Sequence, residues 1–183
     1  MNQMWMRFLK GRTPALAFLS IFLPILMIAT PALAAAFSAT AYVTPQVMYL
    51  NDTAVLTFTI TNTGTVDSIG AVQIERPSNL WTVLNCPVAP LGWSAQTSST
   101  MCRYRSGNGT ADDIKPGQAN SAFQMRASTV AGTTDRPGVW KVTVSKSNQF
   151  DNPSLTTAAT ATSPGLTVTA YSWQILNAVV VTS

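Results

Sequence analysis

Residues 54–61 alternate between apolar and polar side chains and then run into a turn. The apolar set on one face is Ala54, Leu56, Phe58 and Ile60, and the set on the other face is Val55, Thr57, Thr59 and Thr61. This period of two is typical of a β-strand that covers a core on one side and lies near water on the other. Asn62-Thr63-Gly64 then supplies residues that tolerate turn backbone. The stretch therefore predicts a layered β domain, because a half-apolar strand must bury one face.

The same alternation recurs along most of the chain after the first 34 residues. We expect about eight or nine strands at intervals near ten residues, which is the spacing of an antiparallel β-sandwich. The first of these, 37–43, is followed by Pro45, which predicts an edge strand or a strand that switches sheets. A long Thr-, Ala- and Asn-rich stretch over 147–164 is expected to be a loop. The predicted fold class is all-β.

The first 34 residues carry the three-part pattern of a secretory signal peptide. Basic residues precede an uncharged apolar run over 15–29, and small residues follow up to Ala34. We expect cleavage after Ala34, with Ala36 as the second choice, which leaves 35–183 as one domain with a sizeable core. A retained membrane anchor is the alternative, although the apolar run is shorter than the roughly 20 residues that span a bilayer.

The predicted signal changes the electrostatic description of the chain. The whole sequence has 11 Lys+Arg and 7 Asp+Glu. Arg7, Lys10 and Arg12 lie in the signal and no acidic residue does, so eight basic residues face seven acidic ones in the mature part. This near-neutral balance gives no support for binding nucleic acid or anionic membranes. We expect no nucleic-acid partner, and membrane contact only during export unless the signal is retained.

Cys86 and Cys102 are the two cysteines of the chain. An exported protein meets an oxidising compartment, so an even count predicts a disulfide. In the chain-entropy model, a disulfide that closes the loop between Cys86 and Cys102 stabilises the fold by about 3 kcal/mol. The bridge is local in sequence, so we do not expect the long-range bridge between sheets that antibody domains have. Two buried free thiols are the alternative.

Five motifs occur along the chain in an order that is found in a known group of β-sandwich domains. They are 57–64, Gly92-Trp93, Cys102, Ile114-Lys115-Pro116-Gly117 and 138–144. Together they resemble the Ig-like β-sandwich repeats of bacterial and archaeal surface proteins, and the sandwich modules appended to secreted glycosidases. The resemblance covers about 54–146 and implies an Ig-like fold in a non-catalytic spacer, adhesive module or surface-structure subunit. A single copy and an extension over 147–183 depart from that pattern, and they fit a protein whose copies associate with each other.

Residues that carry catalysis are scarce. The chain has no histidine, which removes histidine triads, histidine general bases, histidine–zinc sites and type 1 copper sites. Most of the seven carboxylates lie in turns, where capping and solvation explain them. Their spacing does not indicate the facing pair that a glycosidase needs, and 108–113 lacks the order of a calcium loop. We predict a protein that is not an enzyme and has no cofactor or metal.

Two aromatic residues are candidates for binding a ligand. Trp140 is in phase with Val142 and Val144, so it is expected in the core. Trp93 and Tyr104 are the candidates for an exposed platform that stacks on sugar rings. Packing within the core or within a hairpin is the alternative for both.

The primary functional hypothesis is structural: a subunit of an extracellular filament, such as a pilus, or of a cell-surface layer, which self-associates by β-strand addition. The candidate assembly strands contain Phe37, Ala39, Ala41 and Val43, and Ile175, Val179 and Val181. The first alternative is a secreted carbohydrate-binding or adhesive module with a polysaccharide partner. The second is a membrane-anchored accessory subunit, if the signal is retained. The expected location is secreted, at the cell surface, or periplasmic.

Overall fold

A computed structural model of the chain describes residues 37–108, 110–147 and 149–172. The predicted signal peptide and the candidate strand with Ile175, Val179 and Val181 lie outside the described residues. Across the described ranges the chain forms thirteen β-strands and one short 3-10 helix. A helix with the length and apolar character to cross a membrane is not found in this part of the chain.

The strands are numbered in chain order. They are β1 Ala39–Thr44, β2 Val47–Tyr49, β3 Thr53–Asn62, β4 Ala71–Glu75, β5 Trp81–Val88, β6 Trp93–Thr97, β7 Met101–Ser106, β8 Ala119–Thr129, β9 Arg136–Val139, β10 Lys141–Ser145, β11 Thr156–Ala158, β12 Thr160–Ala161 and β13 Thr167–Tyr171. The 3-10 helix is Pro153–Leu155. β11, β12 and this helix lie inside the stretch that was expected to be a loop, so that expectation is wrong in part.

The strands form three sheets. The first has the order β12-β1-β3-β8-β5, the second β11-β10-β4-β7-β6, and the third β2-β13-β9. This arrangement confirms the predicted all-β, Ig-like sandwich. The expected number of eight or nine strands is too low, because the described residues also form short strands of two to four residues, such as β2 and β12. The expectation of antiparallel pairing holds for most neighbours, but β1 pairs with β12, and β2 with β13, in parallel. These parallel pairs join strands that are distant in sequence, which local patterning does not reveal.

β3 is the central strand of the first sheet, between β1 and β8. Leu56, Phe58 and Ile60 are fully buried, as the alternation predicts. Trp140, which lies between β9 and β10, is also buried, and it meets Phe58 and Trp81 edge-on at ring-centroid distances of 5.8 and 5.6 Å. Such T-shaped contacts favour the aromatic ring quadrupoles, so the indole of Trp140 links β3 to β5 through the core.

The first candidate assembly strand is part of this chain's own first sheet. β1 pairs with β3 at six positions and with β12 at two. Ala39, Ala41 and Val43 are buried, and Phe37 packs against the core. The prediction that this strand is available to another copy is therefore wrong for the described structure. Its switch of sheets is confirmed, since the chain continues past Pro45 into β2 of the third sheet.

Cys86 and Cys102 form a disulfide, with their Cα atoms 5.9 Å apart. Cys86 lies in β5 of the first sheet and Cys102 in β7 of the second. The bridge is local in sequence, as expected, but it does connect the two sheets. The chain passes between the sheets directly after β5, so a short loop is enough to bring the two cysteines together.

Asn62 ends β3 and organises the turn that follows. Its side chain is fully buried. The amide nitrogen donates to the carbonyl oxygens of Asp67 and Ile114 at 2.9 and 2.8 Å, and the amide oxygen accepts from the Gly64 N–H at 2.9 Å. Three backbone groups are thus satisfied by one side chain, as buried polar groups require.

Candidate functional site

The two aromatic residues predicted to stack on sugars are buried. Trp93 is 9% exposed and Tyr104 is not exposed, and both pack edge-on against Phe123, with ring centroids 5.3 and 5.2 Å apart. The Trp93 indole N–H donates to the Asp112 carbonyl at 2.8 Å, and the Tyr104 hydroxyl donates to the Gln124 carbonyl at 2.5 Å. The sugar-stacking prediction is therefore wrong for Trp93 and Tyr104, because neither ring face reaches solvent.

The sequence around Tyr104 does carry a signal for its burial. In β7, the positions of Met101, Arg103 and Arg105 alternate with buried positions that include Cys102 and Tyr104. Two arginines that flank a tyrosine in a strand indicate that the tyrosine points to the other face. Burial raises the pKa of the Tyr104 hydroxyl well above its ordinary range, so the group remains a hydrogen-bond donor.

The exposed aromatic pair of the described structure is Tyr49 and Tyr171. Tyr49 lies in β2 and Tyr171 in β13, and they are register partners in the parallel ladder between these strands. Partners in a ladder project from the same face of a sheet. Their exposed fractions are 46% and 44%, whereas the residues before them, Met48 and Ala170, are buried. The two phenol rings thus lie next to each other on the outside of the third sheet.

Along the strands of the third sheet, buried residues alternate with residues whose side chains project from the outer face. None of these outward-facing residues is charged. We call this surface the tyrosine face, and it consists of Val47, Tyr49, Pro137, Val139, Thr167, Thr169 and Tyr171. Val47 and Val139 are 56% and 65% exposed. Exposed apolar residues that stand alone are normal, but contiguous ones mark interaction surfaces. The tyrosine face is therefore the candidate functional site.

A groove overlaps one end of the tyrosine face and extends toward the start of β3. It has a volume of about 500 Å³ and is lined by Val47, Met48, Tyr49, Asp52, Ala54 and Tyr171. We call it the β2 groove. Asp52 is its one charged lining residue, and the Asp52 carboxylate accepts the Thr53 backbone N–H at 2.7 Å. The groove therefore offers apolar contact and one anionic hydrogen-bond acceptor.

The outer face of the second sheet is different in character. Arg103 Nε donates to Gln73 Oε1 at 2.5 Å, and Gln73 Nε2 donates to Glu75 Oε1 at 2.6 Å. Lys141 Nζ lies 3.3 Å from the same Glu75 oxygen. The Arg103 guanidinium is also 5.5 Å from the ring centroid of Phe150. Gln73, Glu75, Arg103 and Lys141 thus contact one another across β7, β4 and β10, and we call the surface that they form the polar face.

A second groove, of about 390 Å³, is polar. Asp67 and Asp113 line it, and Lys146 Nζ pairs with Asp67 Oδ2 at 3.2 Å. Burial raises the pKa of the Asp113 carboxyl, while a hydrogen bond to Ser106 opposes that shift. Within the described ranges, no three acidic, cysteine or histidine side chains are placed to hold a metal ion.

The end of β13 is held in place by one carboxylate. The backbone N–H and the hydroxyl of Ser172 both donate to Asp135 Oδ1, at 2.8 and 3.1 Å. β13 has β2 on one side and β9 on the other. The chain thus leaves the described structure next to Tyr171, from a strand whose two edges are already paired.

No family model matches this chain, and no curated protein matches its sequence. Several solved structures have similar folds. A chain of a type I cohesin–dockerin complex from Clostridium thermocellum is 11% identical, with a TM-score of 0.46, over 74% of this chain and 99% of that one. An uncharacterised protein from Nocardia farcinica with an immunoglobulin-like fold is 15% identical, with a TM-score of 0.47, over 73% and 98%.

The third ScaB cohesin of R. flavefaciens, solved in complex with a group 1 dockerin, is 13% identical to this chain. It covers 75% of this chain and 96% of its own length, with a TM-score of 0.49. Sandwich folds with this degree of similarity serve many unrelated functions. What this chain binds must therefore follow from its own surface.

Proposed function

We propose that this chain is a non-catalytic, exported protein–protein association module whose copies bind one another in an extracellular filament or a cell-surface layer. The observation that carries this proposal is the tyrosine face. Val47 and Val139 expose more than half of their surface there, and Tyr49 and Tyr171 nearly half. Covering such a face removes apolar surface from water, which is the main driving force for most protein association.

The contrast between the two outer faces supports the proposal. On the polar face, Arg103, Gln73 and Glu75 form a chain of hydrogen bonds. On the tyrosine face the exposed side chains are valine, tyrosine, proline and threonine. Interface centres are depleted in charge and enriched in tyrosine. The tyrosine face has this composition, and the polar face does not.

Export fits the same function. The N-terminal segment has the pattern of a secretory signal. The Cys86–Cys102 disulfide belongs to a compartment that is oxidising, such as the periplasm or the outside of the cell. An association module in that compartment builds envelope or extracellular structure. This location is part of the proposal.

The test is sedimentation velocity of the mature protein over a range of concentrations, with electron microscopy of concentrated samples. Val139→Lys places a charge on the tyrosine face and should weaken association by about tenfold or more, because an unpaired charge in an interface is strongly unfavourable. Leu91→Lys is the matched control, since Leu91 is 97% exposed in the loop between β5 and β6. Association that is absent, or equally reduced by both variants, would contradict the proposal.

A carbohydrate-binding module is the second candidate function, now on different residues. Tyr49 and Tyr171 present adjacent exposed rings, and Asp52 lines the neighbouring groove. Aromatic faces stack on sugar rings, and a carboxylate accepts sugar hydroxyl groups. Calorimetry against a panel of polysaccharides tests it. Binding that Tyr171→Ala abolishes and Tyr171→Phe retains would favour this candidate, whereas no heat across the panel would exclude those polysaccharides as ligands.

A further inference from the structure

We infer that β6 is a second self-association site, at which the β6 strands of two copies pair antiparallel across a two-fold axis at Ala95. The inference rests on the proposed self-association and adds the contact that a filament or layer needs. When the tyrosine face of one copy binds the same face of another, the pair closes as a dimer. Growth beyond a dimer needs a second surface, and the edge of the second sheet supplies it.

The ladder between β6 and β7 determines which backbone groups of β6 are already used. At one end of the ladder the Gly107 N–H donates to the Gly92 carbonyl at 2.7 Å, and at the other end the Ser98 N–H donates to the Met101 carbonyl at 2.9 Å. The register between these ends is regular, and hydrogen-bonded pairs alternate with non-bonded pairs in an antiparallel ladder. The odd-numbered residues of β6 therefore direct their N–H and C=O groups away from β7.

These outward groups of β6 are open. Within the described ranges, the N–H and C=O groups of Ala95 and Thr97 have no hydrogen-bond partner, and Trp93 uses only its N–H, which donates to the Pro90 carbonyl at 3.0 Å. Among the described strands, β6 is the edge of the second sheet, and its residues 94–97 are all exposed. The strand has no proline and no charged residue, which are the features that commonly prevent edge-to-edge pairing.

The edge of β6 is complementary to itself. With Ala95 facing Ala95 of the neighbouring copy, the N–H of each donates to the carbonyl of the other, and each Thr97 N–H meets the carbonyl of Trp93 of the neighbouring copy. Ser94 then lies opposite Gln96 on the outer side of the sheet, where a hydroxyl and an amide can each donate and accept. The second sheets of the two copies, with five strands each, become one continuous sheet.

Charge does not oppose this pairing. Arg103 and Arg105 lie in β7, next to the edge, and in the paired arrangement the β7 strands of the two copies are three strand spacings apart. This distance is about 14 Å, which exceeds the Debye length of about 8 Å at physiological ionic strength. A second copy therefore matches the edge in hydrogen-bond pattern and meets no strong repulsion.

Paired cysteines in the full mature chain test the register. One sample mixes a Ser94→Cys chain with a Gln96→Cys chain, because these positions face each other with Cα atoms about 4.5 Å apart, within the range of a disulfide. The control mixes Leu91→Cys with Gln96→Cys, since Leu91 is 97% exposed but lies outside β6. After mild oxidation, non-reducing electrophoresis and peptide mapping identify the new links and verify that the Cys86–Cys102 bridge is intact.

The expected result is a disulfide between position 94 of one copy and position 96 of the other, formed at least about tenfold faster than any link in the control mixture. Equal rates in the two mixtures overturn the inference, and the proposed function still stands if Val139→Lys weakens association in sedimentation. Absence of all association overturns both.

Ala95→Pro provides a second measurement. Proline removes the N–H that the neighbouring copy would accept, and the ladder with β7 stays intact because that N–H points away from it. Ala95→Ser keeps the N–H and is the matched control. In sedimentation, wild type and Ala95→Ser should form species larger than dimers, whereas Ala95→Pro should stop at the dimer of the tyrosine face and its combination with Val139→Lys should be monomeric. Growth of Ala95→Pro beyond the dimer would overturn the inference.

Discussion

The hydroxyl of Tyr104 donates a hydrogen bond to the backbone carbonyl of Gln124 across the interior of the sandwich, at 2.5 Å. Tyr104 lies in β7 of the second sheet and Gln124 in β8 of the first. The ring between them is fully buried and packs against Phe123. One side chain therefore joins the two sheets by both apolar contact and a polar bond.

Tyr104→Phe removes only this hydroxyl and should lower the free energy of unfolding by about 1–3 kcal/mol, because it leaves the carbonyl without its partner. Urea unfolding followed by fluorescence measures the difference. Tyr42→Phe is the control, since Tyr42 lies on the outward-facing positions of β1. Equal stability of Tyr104→Phe and wild type would mean that the hydrogen bond contributes nothing net.

The same hydroxyl predicts a dependence of stability on alkaline pH. Burial raises the pKa of Tyr104 in the folded protein above the ordinary value of about 10 that applies when the chain is unfolded. Its contribution is fully present below about pH 10 and is lost as the pH rises from there toward the folded pKa, since only the unfolded chain releases the proton. The stability gap between wild type and Tyr104→Phe should therefore narrow above pH 10, as urea unfolding at each pH would show. A difference in the free energy of unfolding that stays constant above pH 10 would contradict this prediction.

The disulfide should contribute stability because it joins β5 to β7. Replacing Cys86 and Cys102 together by alanine should lower the free energy of unfolding by about 3 kcal/mol, the value expected for a short closed loop. Thermal or urea unfolding with and without a reducing agent measures it. The double variant serves as the control, because a reducing agent should lower the free energy of unfolding of the wild type and leave that of the double variant unchanged. A wild type that is equally stable when reduced would refute the prediction.

Asn62 should be among the most sensitive polar positions of the described structure. Asn62→Ala leaves the carbonyls of Asp67 and Ile114 and the N–H of Gly64 without their side-chain partner. The Ile114 carbonyl still accepts the Ile69 N–H, and the Gly64 N–H still donates to the Ser38 carbonyl. The Asp67 carbonyl therefore bears most of the cost, and a loss of about 1–3 kcal/mol is expected. Thr61→Ala, at the neighbouring outward-facing position of β3, should cost under about 1 kcal/mol. Similar losses in both variants would show that the amide does not hold the turn.

The sequence was sufficient for those features of the fold that are local. Alternation identified β3 and the burial of Leu56, Phe58 and Ile60, and Pro45 marked the change of sheet between β1 and β2. The even cysteine count predicted the disulfide, although not that it joins two sheets. Each of these follows from side chains within a few residues of one another, where periodicity and turn chemistry act directly.

The candidate site could not be predicted in the same way. Whether a tyrosine is exposed depends on which strands pair, and β2 is brought beside β13 by a parallel ladder between distant parts of the chain. Tyr49 and Tyr171 therefore become neighbours only in three dimensions. Trp93 and Tyr104 looked available because the segment around them is mostly polar, yet Phe123 from β8 packs against both rings. Whether each of these four aromatic residues is exposed is thus determined by packing between strands that are distant in sequence.

Association through the tyrosine face should be nearly independent of sodium chloride. The face has no charged residue among its seven members, so raising the salt from about 0.05 to 1 M has no interfacial ion pair to screen. Sulfate should strengthen the association, because it enhances apolar burial. Sedimentation velocity in both salts measures the dissociation constant. A dissociation constant that rises about tenfold in sodium chloride would instead assign the contact to charged residues such as those of the polar face.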